Sequence, residues 1–287
     1  NLSDANLSDA VLTNADLTGA DLNGANLTGV SSGSITGTPW LPTGYNLING
    51  YIVGPNVDLT GAYLSGANLS YADLTGANLT GADLTGADLT GANLAEVISG
   101  LITGTPTLPE NYSVINGYII GPNVVLTGAD LSGANLTGAD LTGADLSRAD
   151  LSGANLTGAD LTGAWLINTD LTDADLTGAD LIGAALADAD LSYANLTGAD
   201  LTDATLYRSV LTYADLSYAN LSGANLIYAQ LSQTNLKGAD LSGTDLANSY
   251  TLSILSGSIT GTPILPENYS VINGYIIGKN VNLSDAN

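Results

Sequence analysis

The sequence predicts an all-β solenoid, and three observations carry that prediction. Leucine recurs every five residues, from Leu2 to Leu27, from Leu59 to Leu94 and from Leu126 to Leu246, giving 39 leucines in one phase. Two residues before most of them stands Ala, replaced at intervals by a small residue such as Thr169, Ser209 or Thr234. Asp or Asn lies between the two, and Ser or Thr and then Gly follow, so the unit reads Ala-(Asp/Asn)-Leu-(Ser/Thr)-Gly. A period of five matches neither the helix nor the long strand, and Gly in nearly every unit would cost a helix about 1 kcal/mol each time.

Each part of the unit has its own job. Ala and Leu are two residues apart, so in an extended segment they point the same way, and the Asp or Asn between them points the other. Ser/Thr-Gly supplies a corner, with Gly free to adopt whatever backbone angles the turn needs. A short side and a corner, repeated, wind into a solenoid with Leu and Ala inside. These units resemble the pentapeptide repeat family. The resemblance implies a right-handed quadrilateral β-helix, four units to a coil, with the central Leu and preceding Ala facing inward. At that rate 287 residues make about 14 coils of one continuous solenoid, stabilised by stacking of neighbours.

Regular repeats fill 1–30, 57–97 and 124–250, and three related inserts fill 31–56, 98–123 and 255–280. Each insert spans 32 residues between in-phase positions, as from Leu27 to Leu59, which is six units plus two residues. The inward phase is lost at Thr38-Pro39-Trp40-Leu41-Pro42 and recovered at Leu47, Ile52 and Val57. The expectation is a protruding Pro-rich loop with two surplus residues, since paired prolines prevent regular pairing. On that count the second loop falls one face on from the first, and the third returns to the first loop's face. Trp40, Tyr45, Tyr112 and Tyr269 are then candidates for lateral contact, as aromatic residues suit interfaces.

Composition narrows the function. The chain has no Cys, Met, Phe or His, which removes thiolate and imidazole metal sites, disulfides and Ser-His or Cys-His catalysis. Lys and Arg number 4 against 28 Asp and Glu, a net charge of -24 that argues against binding a nucleic-acid backbone or an anionic membrane. No run approaches the roughly 20 apolar residues of a membrane span. An enzyme is not expected, and neither is a cofactor.

Stacking turns a spacing of 20 into columns on the surface. Asp130, Asp150, Asp170 and Asp190 should form one, and Asp140, Asp160, Asp180 and Asp200 another on the opposite side. Carboxylates about 5 Å apart repel and raise one another's pKa, or recruit cations. Weak Ca²⁺ binding is the metal chemistry these oxygens suit, although a column is not a cage. Tyrosine gathers at the corner position in Tyr193, Tyr213, Tyr218 and Tyr228, near Tyr207 and Arg208. Tyr193 and Tyr213 are 20 apart and should stack, which makes this the best candidate for a side-on partner site.

The first and last six residues are the same, Asn-Leu-Ser-Asp-Ala-Asn. Solenoids expose unpaired strand edges unless capped, so Asn1, Leu2, Ala5, Leu283, Ala286 and Asn287 are expected to form an end-to-end interface. The function expected first is a non-enzymatic structural solenoid that stacks head to tail with itself into a filament or a matrix fibre, extracellular or at a bacterial cell surface. The alternative comes from the resemblance: some members of the family imitate a DNA duplex and inhibit type II topoisomerases, so the chain would be a cytoplasmic acidic module whose partner is a DNA-binding protein.

Overall fold

The structure, a computed structural model of the chain, describes residues 1–251 and 253–283. The chain divides into two compact units, Asn1–Val125 and Leu126–Asn287. Each is built of four-sided β-helical coils. The middle residue of a side bridges in parallel to the residue 20 positions on, as in Asn135, Asn155, Asp175 and Asn195. Two hydrogen bonds make each step. The Asp150 amide donates to the Ala129 carbonyl at 2.9 Å, and the Leu151 amide donates to the Asp170 carbonyl at 2.8 Å. The ladder uses one residue of the side and its neighbour, so a side needs only Ala-Asx-Leu.

Corners close by a turn bond from the Ala amide back to the preceding Leu carbonyl, 3.0 Å between Ala154 and Leu151. The third residue of that turn has positive φ, +63° at Gly153, which explains why the repeat favours Gly there. Leu and Ala of the repeat blocks fill the core, and Leu141 through Leu246 are almost wholly buried. Several polar replacements at the inward Ala position satisfy themselves, while Ser249 Oγ is buried without a partner. Thr169 donates its hydroxyl to Leu146 O at 2.8 Å, Thr234 to Leu211 O at 2.7 Å and Ser209 to Leu206 O at 2.8 Å.

The inserts differ from the expected Pro-rich loops. Each contains an antiparallel hairpin: β1 (Asn46–Ile48) with β2 (Tyr51–Val53), β3 (Ser113–Ile115) with β4 (Tyr118–Ile120), and β5 (Ser270–Ile272) with β6 (Tyr275–Ile277). The prolines do not break the ladder where it was expected to fail. Trp40, between Pro39 and Pro42, bridges Asp21, and Thr107 and Ile264 bridge Asp88 and Asp245 in the same way. The surplus is larger too. Ser31 bridges Asp58 and Ile98 bridges Val125, so the coil grows from 20 to 27 residues, and the chain makes fewer coils than a uniform count gives. The second insert is also not turned to a new face. Ser31, Asp58, Asn78, Ile98 and Val125 form one column, so both inserts of the first unit open beside the same side.

The hairpin is interposed between coils rather than protruding from them. Toward the coil below, Gly50 O accepts from the Ile35 amide at 3.0 Å and the Ile52 amide donates to Ser32 Oγ at 2.9 Å. Toward the coil above, Tyr51 Oη accepts from the Tyr63 amide at 3.1 Å. Ile52 and Val53 are fully buried, so the hairpin replaces with apolar packing the ladder it interrupts. Ser99 with Ile119 and Ser256 with Ile276 repeat the serine contact at 2.9 and 3.0 Å.

Two outcomes test this architecture. Leu161→Asp places an unpaired charge in a core one leucine wide, and thermal unfolding should show a loss of several kcal/mol; an unchanged melt would contradict the inward leucine. Gly121→Ala drives a methyl into the Tyr112 ring, so limited proteolysis should cut the second hairpin faster while the repeat blocks resist.

Candidate interaction surface

The acidic columns form as the spacing predicts. Asp130, Asp150, Asp170 and Asp190 are one ladder, and Asp140, Asp160, Asp180 and Asp200 another two sides away, continued by Asn220 and Asp240. Their carboxylates serve the corners. Each accepts the amide of the residue two positions on, at 3.2 Å for Asp130, 3.1 Å for Asp140, 2.9 Å for Asp150, Asp160, Asp170, Asp190 and Asp200, and 3.3 Å for Asp180. Several take the next hydroxyl as well, as Asp150 takes Ser152 Oγ at 2.6 Å.

These bonds favour the charged carboxylate. The hydroxyl and amide of Ser132 hold Asp130 below its ordinary value, and those of Thr162 and Ser242 do the same for Asp160 and Asp240. Burial works the other way at Asp145, but the bonds from Ser147 and Thr127 outweigh it. At Asp130 and Asp160, which have carboxylates next to them in their columns, the shift is opposite to the rise expected from such neighbours. Amides interleaved in the columns help, since Asn235 Nδ2 donates to Asp215 Oδ1 in the coil below at 3.0 Å. Among the described residues no three acidic side chains gather where a metal ion could sit.

One side of the second unit is different. The column Asp130, Asp150, Asp170, Asp190 continues as Val210, Gln230 and Tyr250, so its charge stops while its geometry goes on. Tyrosine flanks this stretch at both corners. On one, Tyr193 and Tyr213 stack with ring centroids 4.9 Å apart and 5° between planes, and Gln233 Nε2 caps the column on Tyr213 Oη at 2.8 Å. On the other, Tyr207 and Tyr228 meet edge to face at 5.9 Å and 87°. Arg208 Nε lies 3.1 Å from Asp188 Oδ1, an exposed ion pair that sets a carboxylate beside the guanidinium. Tyr207, Arg208, Tyr228, Gln230 and Tyr250 line a surface cavity of about 450 Å³. The five tyrosines of the face are 36% to 62% exposed.

These corners are strained. Tyr193, Arg208, Tyr213, Tyr228 and Gln233 all have φ between +60° and +64°, a conformation costing a residue with a Cβ about 1–2 kcal/mol. Elsewhere the repeat puts Gly at most such corners.

The other sequence candidates fall into two groups. Tyr45, Tyr112 and Tyr269 are half-buried and fold back within their own inserts, their hydroxyls donating to Pro55, Pro122 and Lys279 carbonyls at 3.1, 3.0 and 2.6 Å. Their rings pack on Gly54, Gly121 and Gly278, so they staple the hairpins. Burial, and then the charge of Asp73, push the Tyr45 phenol up. Trp40 stays open, 62% exposed. At the proposed ends, Leu2 and Leu283 are exposed, Ala5 is half-buried and Asn1 accepts from Ser3, while Ala286 and Asn287 lie outside the described residues. Sequence reasoning missed Val210, Gln230 and Tyr250, although the same stride of 20 from Asp190 reaches all three.

The family described as pentapeptide repeats matches the chain in 8 copies, over residues 1–31, 58–94, 123–158, 154–192, 189–226 and 214–250. Among solved structures, HetL, a pentapeptide repeat protein involved in heterocyst differentiation regulation in the cyanobacterium Nostoc sp. strain PCC 7120, is 30% identical over 91% of each chain, with a TM-score of 0.49. A pentapeptide repeat protein of the Arabidopsis thaliana thylakoid lumen is 35% identical over 37% of this chain and 66% of its own, at 0.22. QnrB1, a plasmid-mediated fluoroquinolone resistance protein, is 18% identical over 69% of this chain and 84% of its own, at 0.28. Comparison with curated proteins finds no match.

The depressed aspartates fix a pH dependence. Asp130, Asp160 and Asp240 bind a proton less readily folded than unfolded, so their contribution is present at neutral pH and is lost as pH falls below about 4. The melting temperature should fall on acidification from about pH 6 to about pH 3, a window that spans the ordinary carboxylate range. A rise, as relief of charge repulsion alone would give, would contradict the corner role of the carboxylates.

Proposed function

The chain belongs to the pentapeptide repeat family, and from that premise we propose that it is a non-enzymatic structural solenoid that associates with copies of itself along the coil axis to form filaments. The observation that carries this reading is the parallel ladder. Each coil offers upward the same row of amides and carbonyls that it receives from below, so an open coil edge is a template for another coil of the same cross-section. Coverage by neighbouring coils is visible inside the repeat block, where Leu151, Leu171 and Leu191 on successive coils are fully buried. Burying such leucines contributes about 25 cal/mol per Å² of apolar surface. A heterologous contact of this kind grows without closing. A bacterial cell-surface or extracellular setting goes with this reading, on the strength of the sulfur-free composition.

The acidic columns oppose axial contact, so screening salt, or Ca²⁺ held weakly by aspartate oxygens, should promote it. A second reading rests on one stretch of those columns. Residues 161–200 carry seven Asp and no Lys or Arg. Over two coils of about 4.8 Å that is roughly one charge per 1.4 Å, close to the one per ~1.7 Å of a DNA duplex. It supports an acidic module that occupies the DNA site of a protein such as a type II topoisomerase.

Sedimentation and negative-stain microscopy separate the two. Filaments that lengthen with NaCl or CaCl₂ are expected, with a ~4.8 Å axial reflection on fibre diffraction. A chain that stays monomeric at high concentration under both conditions, and that inhibits DNA relaxation by a topoisomerase, would replace the first reading with the second.

A further inference from the structure

We propose that the tyrosine face of the second unit, centred on Val210, Gln230 and Tyr250, is a binding site for a neutral polysaccharide chain. The proposal concerns the side of the solenoid and holds for a single molecule or a filament, so it fails or stands separately from axial association.

Charge selects the ligand class. The chain carries -24 overall, yet on this side the aspartate column gives way to Val210, Gln230 and Tyr250. The cation that lines the cavity, Arg208, is paired with Asp188 at 3.1 Å. An anionic ligand therefore meets a positive group that already has a carboxylate beside it, and must approach an acidic protein to reach it. A cation meets no carboxylate among the residues lining the cavity, and Arg208 stands in its wall. What the face offers is neutral: five phenol rings with their hydroxyls, and the amides of Gln230 and Gln233.

The same groups distinguish a sugar from a protein partner. Aromatic ring faces carry partial negative charge and accept the weakly positive C–H face of a pyranose. Phenol hydroxyls and amides both donate and accept, matching the equatorial hydroxyls around the ring. A protein interface also favours Tyr and Arg but sets them in a more apolar buried core, whereas the centre of this face places the amide of Gln230 between Tyr250 and a half-buried Val210. The site is rigid before any ligand arrives. Tyr193 is fixed by its stack on Tyr213, Tyr213 by Gln233, and Tyr207 by its edge contact with Tyr228, so little ordering remains to oppose binding. Successive coils repeat about every 4.8 Å, comparable to one hexose along an extended glycan, so a chain lying along the axis meets Val210, Gln230 and Tyr250 at successive sugars.

Affinity electrophoresis tests the site directly. The purified chain is run in native gels containing hydroxyethylcellulose, soluble starch, laminarin or glucomannan, with alginate as the anionic control. Retardation is expected in at least one neutral gel and not in alginate. Tyr207→Ala with Tyr228→Ala should weaken it about tenfold or more, the effect of losing one or two aromatic stacks. Tyr193→Gly with Tyr213→Gly should also weaken it while keeping the fold, because Gly takes the corner angle freely, and the melting curve checks this. Trp165→Ala, which removes an exposed aromatic from another side, should leave retardation intact. Unaltered migration in every neutral gel, or retardation that survives both double variants or is lost with Trp165, overturns the assignment.

Discussion

The axial ladder of backbone hydrogen bonds is the constraint on which the rest of the structure depends. For the amide of Asp150 to reach Ala129 and that of Leu151 to reach Asp170, every side must begin at the same height in every coil. Within the repeat blocks that fixes the coil at 20 residues and the side at Ala-Asx-Leu. It also fixes the corner, whose third residue must take positive φ. Leucine then has no freedom of position: it must point inward, and each one covers the leucine below it. Ala prevails at the inward position of the regular repeats because the lumen is shared by four sides, and Val57, Val97, Val124 and Ile254 take that position where an insert adjoins. At Thr169 and Thr234, where the residue there is polar, the hydroxyl is paired with a backbone carbonyl of the core.

A ladder of this kind makes surface chemistry one-dimensional. Any side chain repeated at 20 becomes a column, and columns of like charge would be unstable if nothing offset them. Here the offset is local. The outward Asp accepts the corner amide and often the corner hydroxyl, so the group that repels its neighbour also closes the turn. Asn serves the turn equally well and carries no charge, and amides alternate with carboxylates where columns are mixed. Aromatic side chains obey the same rule with a different outcome. Tyr193 and Tyr213 gain a parallel stack from the stride that would set two aspartates against each other.

The inserts show how much interruption the ladder tolerates. At the first, the Ser31 side bridges directly to the next coil while the hairpin β1–β2 stands in for the missing bonds elsewhere. Its fully buried Ile52 and Val53 supply apolar contact, and Ser32 Oγ receives the Ile52 amide that would otherwise be buried without a partner. Ser99 and Ser256 repeat that contact. A leucine position converted to serine in all three inserts is a device for admitting the hairpin.

The coil of the repeat blocks, the inward leucines, the columns and the Tyr193–Tyr213 stack were all legible in the five-residue period, because in a parallel ladder position in space is sequence position modulo 20. That period did not determine the inserts. Leu47, Ile52 and Val57 keep the five-residue phase and so masked the Asn-Gly turns between short apolar strands, which are the ordinary mark of a hairpin. Nor did the prolines reveal their place: Trp40 holds the ladder between Pro39 and Pro42 because a bridge needs only one residue's amide and carbonyl. Only the tertiary structure decided where the surplus residues go, that corner hydrogen bonds outweigh column repulsion at Asp130 and Asp160, and that Tyr207, Gln230 and Tyr250 from three successive coils line one cavity. Each of these depends on the balance of competing contacts across coils, which a linear period does not contain.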